Sequence, residues 1–219
     1  MTTDTPQDEL MKRLETLIPL VKPFYTPDDP AHDWPHIGRV ISTARKLAQD
    51  EAVDLPGLLA AVYCHDIVNL PKNHPERLQA SRLSAEKAAP LLAESGFSND
   101  EIKNIQQYVI EHSFSKGLKP TSLEAAILQD SDRLDTLGAI GVLRCASVNT
   151  QMKTSFYEPF DPLAESRELD DKRYMVDHYF MKIFKLPEMM NTTKGKLEAL
   201  KRVEFMNFFL NTLMGEIKS

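Results

Sequence analysis

Apolar residues spaced three and four apart, each run opened by a helix-starting cap, recur along most of this chain. No sustained stretch alternates apolar and polar residues as a half-buried strand would. In "DWPHIGRVISTARKLAQD", Ile37, Val40, Ile41, Ala44, Leu47 and Ala48 form one stripe behind Asp33 as N-cap and Pro35 in the first turn. "DLPGLLAAVYCHD" enters the same way, an Asp followed two residues later by Pro. "SNDEIKNIQQYVIEHS" has Ser98 and Glu101 at capping-box spacing, and "TSLEAAILQDSDRLDTLGAIGVLR" repeats that spacing with Thr121 and Glu124. "KGKLEALKRVEFMNFFLNTLMGEI" reads as a long helix with Leu197, Leu200, Val203, Leu210 and Leu213 on its core face. The pattern predicts an all-α fold, one helical domain without internal repeats.

A length of 219 residues, 42% of them apolar and 26% charged, suits one globular domain with a sizeable core. Only the first residues, about 1–8, are expected to be flexible. The start "MTTDTPQDELMKRL" lacks the form of a secretory signal, and no apolar run reaches the ~20 residues of a membrane helix. A cytoplasmic protein that does not bind membranes is the expectation. Cys64 and Cys145 have no CxxC spacing and read as two buried small hydrophobes in a reducing compartment. A net charge of −6 argues against a grip on long nucleic acid, which rests on clustered Lys and Arg. A small anionic partner can still bind where a cation is held.

Against this background, "LLAAVYCHDIVNL" is costly: it delivers His65 and Asp66 from an apolar helix, where an uncompensated carboxylate is expensive. Three further helices place ionisable groups on faces that read as core. His36 falls on the side of Val40 and Thr43, His112 extends the row of Ile105, Tyr108 and Val109, and Asp132 follows Leu128 by four, with Asp130 close by. One shared polar site explains them better than four independent buried defects. His36, His65, Asp66 and Asp132 make a two-nitrogen, two-oxygen set, suited to one Mn²⁺, Fe²⁺, Co²⁺, Ni²⁺ or Zn²⁺ per chain and less to Mg²⁺. The spacing of His32 and His36 in "HDWPH" is that of zinc proteases, but Asp33 stands where Glu is needed and Pro35 starts the helix after His32.

"HDWPHIGRV", "CHDI" and "DSDRLD" together resemble the signature of the HD-domain superfamily of metal-dependent phosphohydrolases. The likeness extends through "HDIVNLPKNHPER", "EHSFS", "DPLAESRELDDKR" and "LPEMMNTTKGK" to a branch of small single-domain bacterial members. It implies one HD-type domain over residues 1–219, with His36, His65, Asp66 and Asp132 as ligands and Mn²⁺ as the leading metal. Asp130 is the less favoured alternative to Asp132, and with His32 and Asp33 it would support the ligands from behind. Asn69 stands near where some relatives carry an acidic residue that helps activate water, so a separate carboxylate base is not expected.

The resemblance further implies hydrolysis of nucleotides, including cleavage of (deoxy)nucleoside triphosphates to monophosphate and pyrophosphate by metal-activated water. Asp66 and Lys72 would be catalytic. Lys72, Arg39, His112, His74 and Arg77 would hold the phosphorylated substrate, and a homodimer is compatible with the chain. The segment 151–173, dotted with Phe156, Tyr157 and Phe160, reads as a lid over the cleft. Two other readings use the same residues: a non-catalytic metal or nucleotide sensor, and a di-iron oxygenase, for which His112 is the only obvious extra ligand.

Overall fold

The computed structural model describes residues 6–27, 31–70, 74–113 and 117–217. Nine α-helices account for most of them: α1 (Pro6–Val21), α2 (Trp34–Ala48), α3 (Leu55–Cys64), α4 (Ala80–Glu94), α5 (Asn99–Glu111), α6 (Leu123–Leu134), α7 (Gly138–Met152), α8 (Met175–Met181) and α9 (Thr193–Ile217). The described residues contain no strand, only an isolated bridge between Ser155 and Tyr174. None of these helices is long and apolar enough to cross a membrane. The chain forms two compact units, residues 1–132 and 133–219, whose boundary falls within α6.

In the first unit α3 is the hub, packed against α1, α2, α4 and α5. Its apolar residues face inward all round: Leu58, Leu59, Ala60, Ala61, Val62 and Cys64 are at most 1% exposed. A helix surrounded in this way cannot send its last residues to water, so whatever follows Cys64 is delivered into the core. Asp54 caps its start, accepting a hydrogen bond from the Gly57 amide at 3.1 Å. Ser98 and Glu101 form the expected capping box of α5. At α6 the expectation is off by one: Ser122 accepts from the Ala125 amide, because the Thr121 hydroxyl is already committed to Glu111 at 2.8 Å.

Sequence periodicity did not mark α1 or α4, which carry Pro19 and Pro90 within their spans. Helix α1 begins at Pro6, within the segment 1–8 expected to be flexible, and residues 1–5 lie outside the described residues.

In the second unit α7 packs on α9 and α8, and a 3₁₀ segment Ile183–Met189 joins α8 to α9. Here the expected core face of α9 is right at Leu210 and wrong at its start, with Val203 and Leu213 half-buried. Leu197 and Leu200 are 57% and 47% exposed, while Gly195, Ala199, Met206, Leu210 and Met214 are the buried residues. Both faces of the helix are apolar, so periodicity could not choose between them. Gly141 is required where it stands, since a Cβ there would lie 2.3 Å from the carbonyl oxygen of Thr136. Cys145 is partly exposed rather than buried, whereas Cys64 is buried and its thiol is pushed up to about 12 by burial.

The segment expected as a lid is shorter and more ordered than its sequence suggests. Helix α7 runs through Met152, so the irregular stretch starts at Lys153. Asp161 accepts from the amides of Glu165 and Ser166 at 2.9 and 2.8 Å, and Arg167 grips Asp177 with two bonds of 2.6 and 2.7 Å.

Candidate metal centre

The centre is built from helix ends. His36 is the third residue of α2, and its backbone amide donates to the capping carboxylate of Asp33 at 2.9 Å. Asp33 therefore fixes the turn that aims His36 and is spent as a cap. His65 closes α3, and its ring Nδ1 lies 2.8 Å from the carbonyl of Val62. A carbonyl can only accept, so Nδ1 carries the proton and Nε2 keeps its lone pair. His112 closes α5 in the same way, with Nδ1 donating to the carbonyl of Val109 at 2.6 Å.

The remaining nitrogens and the carboxylates converge. The Nε2 atoms of His36 and His65 are 3.4 Å apart, and both rings are fully buried. Asp66 reaches His65 Nε2 with Oδ2 at 3.4 Å and His112 Nε2 with Oδ1 at 3.5 Å. Oδ1 of Asp132 lies 3.6 Å from His36 Nε2 and 3.9 Å from His65 Nε2. One ligand atom from each of His36, His65 and Asp66 falls within 4.8 Å of the others. Bonds of about 2.0–2.2 Å to a shared ion place adjacent donors roughly 3 Å apart and opposite donors roughly 4 Å apart. The spacings fit such an ion. The donor chemistry fits too: two imidazole nitrogens and the Asp66 carboxylate gather within 4.8 Å of one another, and the Asp132 carboxylate lies beside both imidazoles.

Electrostatics favour the ligand-ready forms. Burial pushes His65 down to about 4, so its ring is neutral at pH 7. Burial alone would raise the Asp66 carboxyl, but His65, the hydrogen bond from His112 and the nearby His32 hold it well below the usual carboxylate range. Burial would likewise lower His112; the hydrogen bond and charge of Asp66, with Asp132 beyond, raise it instead. The Tyr25 phenol, which donates to the Tyr63 carbonyl at 2.8 Å, is pushed up by burial and by the charge of Asp66.

The other expected site residues fall into distinct places. Asp130 is fully buried, but the carboxylate beside the two histidines is that of Asp132. The His32 ring stands edge-on to that of His36, 6.0 Å between centroids. Arg39 is partly buried one turn beyond His36. Arg77 bonds Asn69 Oδ1 at 2.9 Å and the Leu70 carbonyl at 2.5 Å, which clasps the turn after the His-Asp pair. His74 accepts from the Glu76 amide at 3.1 Å through Nδ1. Lys72 lies outside the described residues.

Sequence reasoning missed Glu111. Its buried carboxylate accepts from Gln107 at 2.6 Å and from the amide and hydroxyl of Thr121 at 2.9 and 2.8 Å. Gln129 adds bonds to the carbonyls of Glu111 and Leu118 at 2.7 and 2.9 Å. Together they anchor the connection that follows His112. The only signal was an acid at the apolar end of α5, next to a histidine already singled out.

The HD domain family model matches residues 34–137, a span that starts at the α2 entry and takes in every member of the cluster. Residues 34–137 are an HD domain. The chain is similar to the uncharacterized protein YpgQ of Bacillus subtilis, 26% identical over 211 residues that cover 94% of this chain and 95% of that one. A crystal structure of the same Bacillus subtilis protein in complex with ADP superposes with a TM-score of 0.74 at 26% identity, covering 95% of this chain and 96% of that one. An HD-superfamily hydrolase from Bacillus thuringiensis matches equally well, with a TM-score of 0.74 at 28% identity and coverage of 96% and 99%.

Proposed function

We propose that this HD-domain protein is a metal-dependent phosphohydrolase of nucleotides, which cleaves (deoxy)nucleoside triphosphates to monophosphate and pyrophosphate. The observation that supports the reading is the cluster of His36, His65 and Asp66 within 4.8 Å of one another, with Asp132 beside the two imidazoles and both Nε2 atoms 3.4 Å apart. The Bacillus subtilis relative was crystallised with ADP, which supports a nucleotide as the ligand class.

In this reading His36, His65, Asp66 and Asp132 hold one divalent transition metal, Mn²⁺ first, and Asp66 is both ligand and catalytic group. A dication held there polarises water and neutralises charge on phosphoryl oxygens. The Val62 carbonyl fixes the tautomer that keeps the His65 lone pair directed at the centre. Asp66 orients His112 through its second oxygen, and the raised His112 ring, its two N–H groups taken by Val109 and Asp66, adds positive charge beside a bound phosphate. Arg77 holds the turn beyond the His-Asp pair in place.

The test is to assay purified protein with Mn²⁺ against nucleoside mono-, di- and triphosphates, with products resolved. Pyrophosphate and monophosphate from a triphosphate are expected. Orthophosphate alone would reject the proposed bond, and no turnover on any nucleotide would reject the reaction.

A further inference from the structure

Helix α9 has a second apolar face that no other described residue covers. Setting Met206 at the centre of its buried side, Leu197 and Phe208 fall almost opposite, on the outer side, at 57% and 69% exposure. Between them on the same outer line lie Lys201 and Glu204, both exposed. Leu200 and Phe205, at 47% and 44% exposure, flank that line on its two sides. Six residues thus form an outward strip on a helix whose inward side is already filled.

The spacing of the strip's central residues is four, three, four along Leu197, Lys201, Glu204 and Phe208, which is the seam spacing of paired helices. Their order is also symmetric about one point, midway between Arg202 and Val203. An antiparallel pairing of two copies of α9 about that point sets Leu197 against Phe208 of the other copy. It also sets Lys201 against Glu204 of the other copy, and each contact occurs twice, as a two-fold interface demands. Leu200 and Phe205 then close the sides of the seam. A parallel pairing would instead bring Lys201 next to Lys201 and Glu204 next to Glu204. Within its own chain Lys201 has only a 4.0 Å approach to Glu198, and its side chain is 75% exposed. It can turn to a partner without breaking a tight bond.

We infer that the outer face of α9 pairs two copies of this chain antiparallel, Leu197 on Phe208 and Lys201 on Glu204. The apolar ends supply the drive, and the central ion pairs set direction and register.

Sedimentation of the full chain over a range of concentrations reads the result. The mass of two chains is expected, and a single-chain mass at every concentration overturns the inference. Phe208→Glu, which places a charge against Leu197 of the other copy, should weaken the dimer by more than about 30-fold. Lys201→Glu sets like charges face to face and should also weaken it, and adding Glu204→Lys should restore it. The charge swap changes only exposed side chains, so circular dichroism should show unchanged helix content and the reading does not depend on Phe208→Glu folding normally. A dimer indifferent to Lys201→Glu, or one that Lys201→Glu weakens and the added Glu204→Lys does not restore, would overturn the inference, since it would have to form through another surface.

Discussion

The chain sets a histidine beside a carboxylate in two described places, and the two could hardly differ more. At the end of α3, His65 and Asp66 meet His36, His112 and Asp132, all histidines and carboxylates. At α8, His178 Nδ1 lies 3.0 Å from Asp171 Oδ2, and Lys182 Nζ lies 2.8 Å from the same oxygen. In the second place a fixed cation already neutralises the carboxylate, and the imidazole nitrogen nearest it serves as its donor. In the first, the Nδ1 proton of His65 is bound to a backbone carbonyl, so the lone pairs are left to converge on one point. The candidate metal centre is therefore set apart by where the protons have been placed, more than by which residue types are near each other.

The sharpest way to break this comparison is to delete each histidine. His65→Ala should remove bound metal to background in elemental analysis and lower kcat/KM by at least about 10³-fold, since a ligand and its lone pair are gone together. It should also lower stability, because Asp66 loses a partner. His178→Ala should leave metal content unchanged and activity within about twofold. Equal losses in both variants would erase the distinction.

A smaller effect is expected behind the ligands. His112→Gln keeps a side chain at the end of α5 but loses the ring that Asp66 Oδ1 approaches at 3.5 Å. Metal affinity or activity should fall by about 10–100-fold, the size usual for outer partners of a ligand. Titration of metal into chelator-treated protein, followed by assay, separates the two quantities. If both are unchanged, His112 is only a filled core position.

Smaller still is the effect of the cap behind His36. Asp33→Ala removes the acceptor of the His36 amide at 2.9 Å and should cost about 1 kcal/mol of stability in denaturant titration. Metal should still bind, because the cap orients the helix end and does not coordinate. Loss of metal from this variant would promote Asp33 from cap to ligand.

What could be read from sequence tracks how local the cause is. The caps at Asp33, Asp54 and Ser98 were legible because cap and amide are three residues apart. The grouping of His36, His65 and Asp66, with Asp132 beside the two imidazoles, was legible because these groups broke the apolar patterns of their helices. The cap at α6 was misplaced because Thr121 is claimed by Glu111, ten residues away in sequence. The buried side of α9 was misread because a helix apolar on both faces has no inward side until its neighbours are placed. The clasp made by Arg77 was also illegible, because its guanidinium reaches back to Asn69 and the Leu70 carbonyl through a turn whose path no local pattern marks.

The smallest effect belongs to the saturated pair at α8, and its pH dependence has a definite sign. The hydrogen bond from Lys182 lowers the Asp171 carboxyl from its ordinary 3.8; burial opposes this, and the bond and charge of His178 add to it. A carboxylate held below its unfolded value contributes stability that is fully present above that value and is lost as pH falls through its folded one. Asp171→Asn should therefore destabilise the protein at pH 7 by less than about 1 kcal/mol, as partly exposed pairs do. The gap between variant and parent should narrow below about pH 4, as the parent's carboxylate takes up its proton. Thermal melts of both proteins from pH 7 to pH 3 test this. A gap that widens on acidification would mean that Asp171 is protonated in the folded protein, and the contrast with the α3 cluster would lose its electrostatic basis.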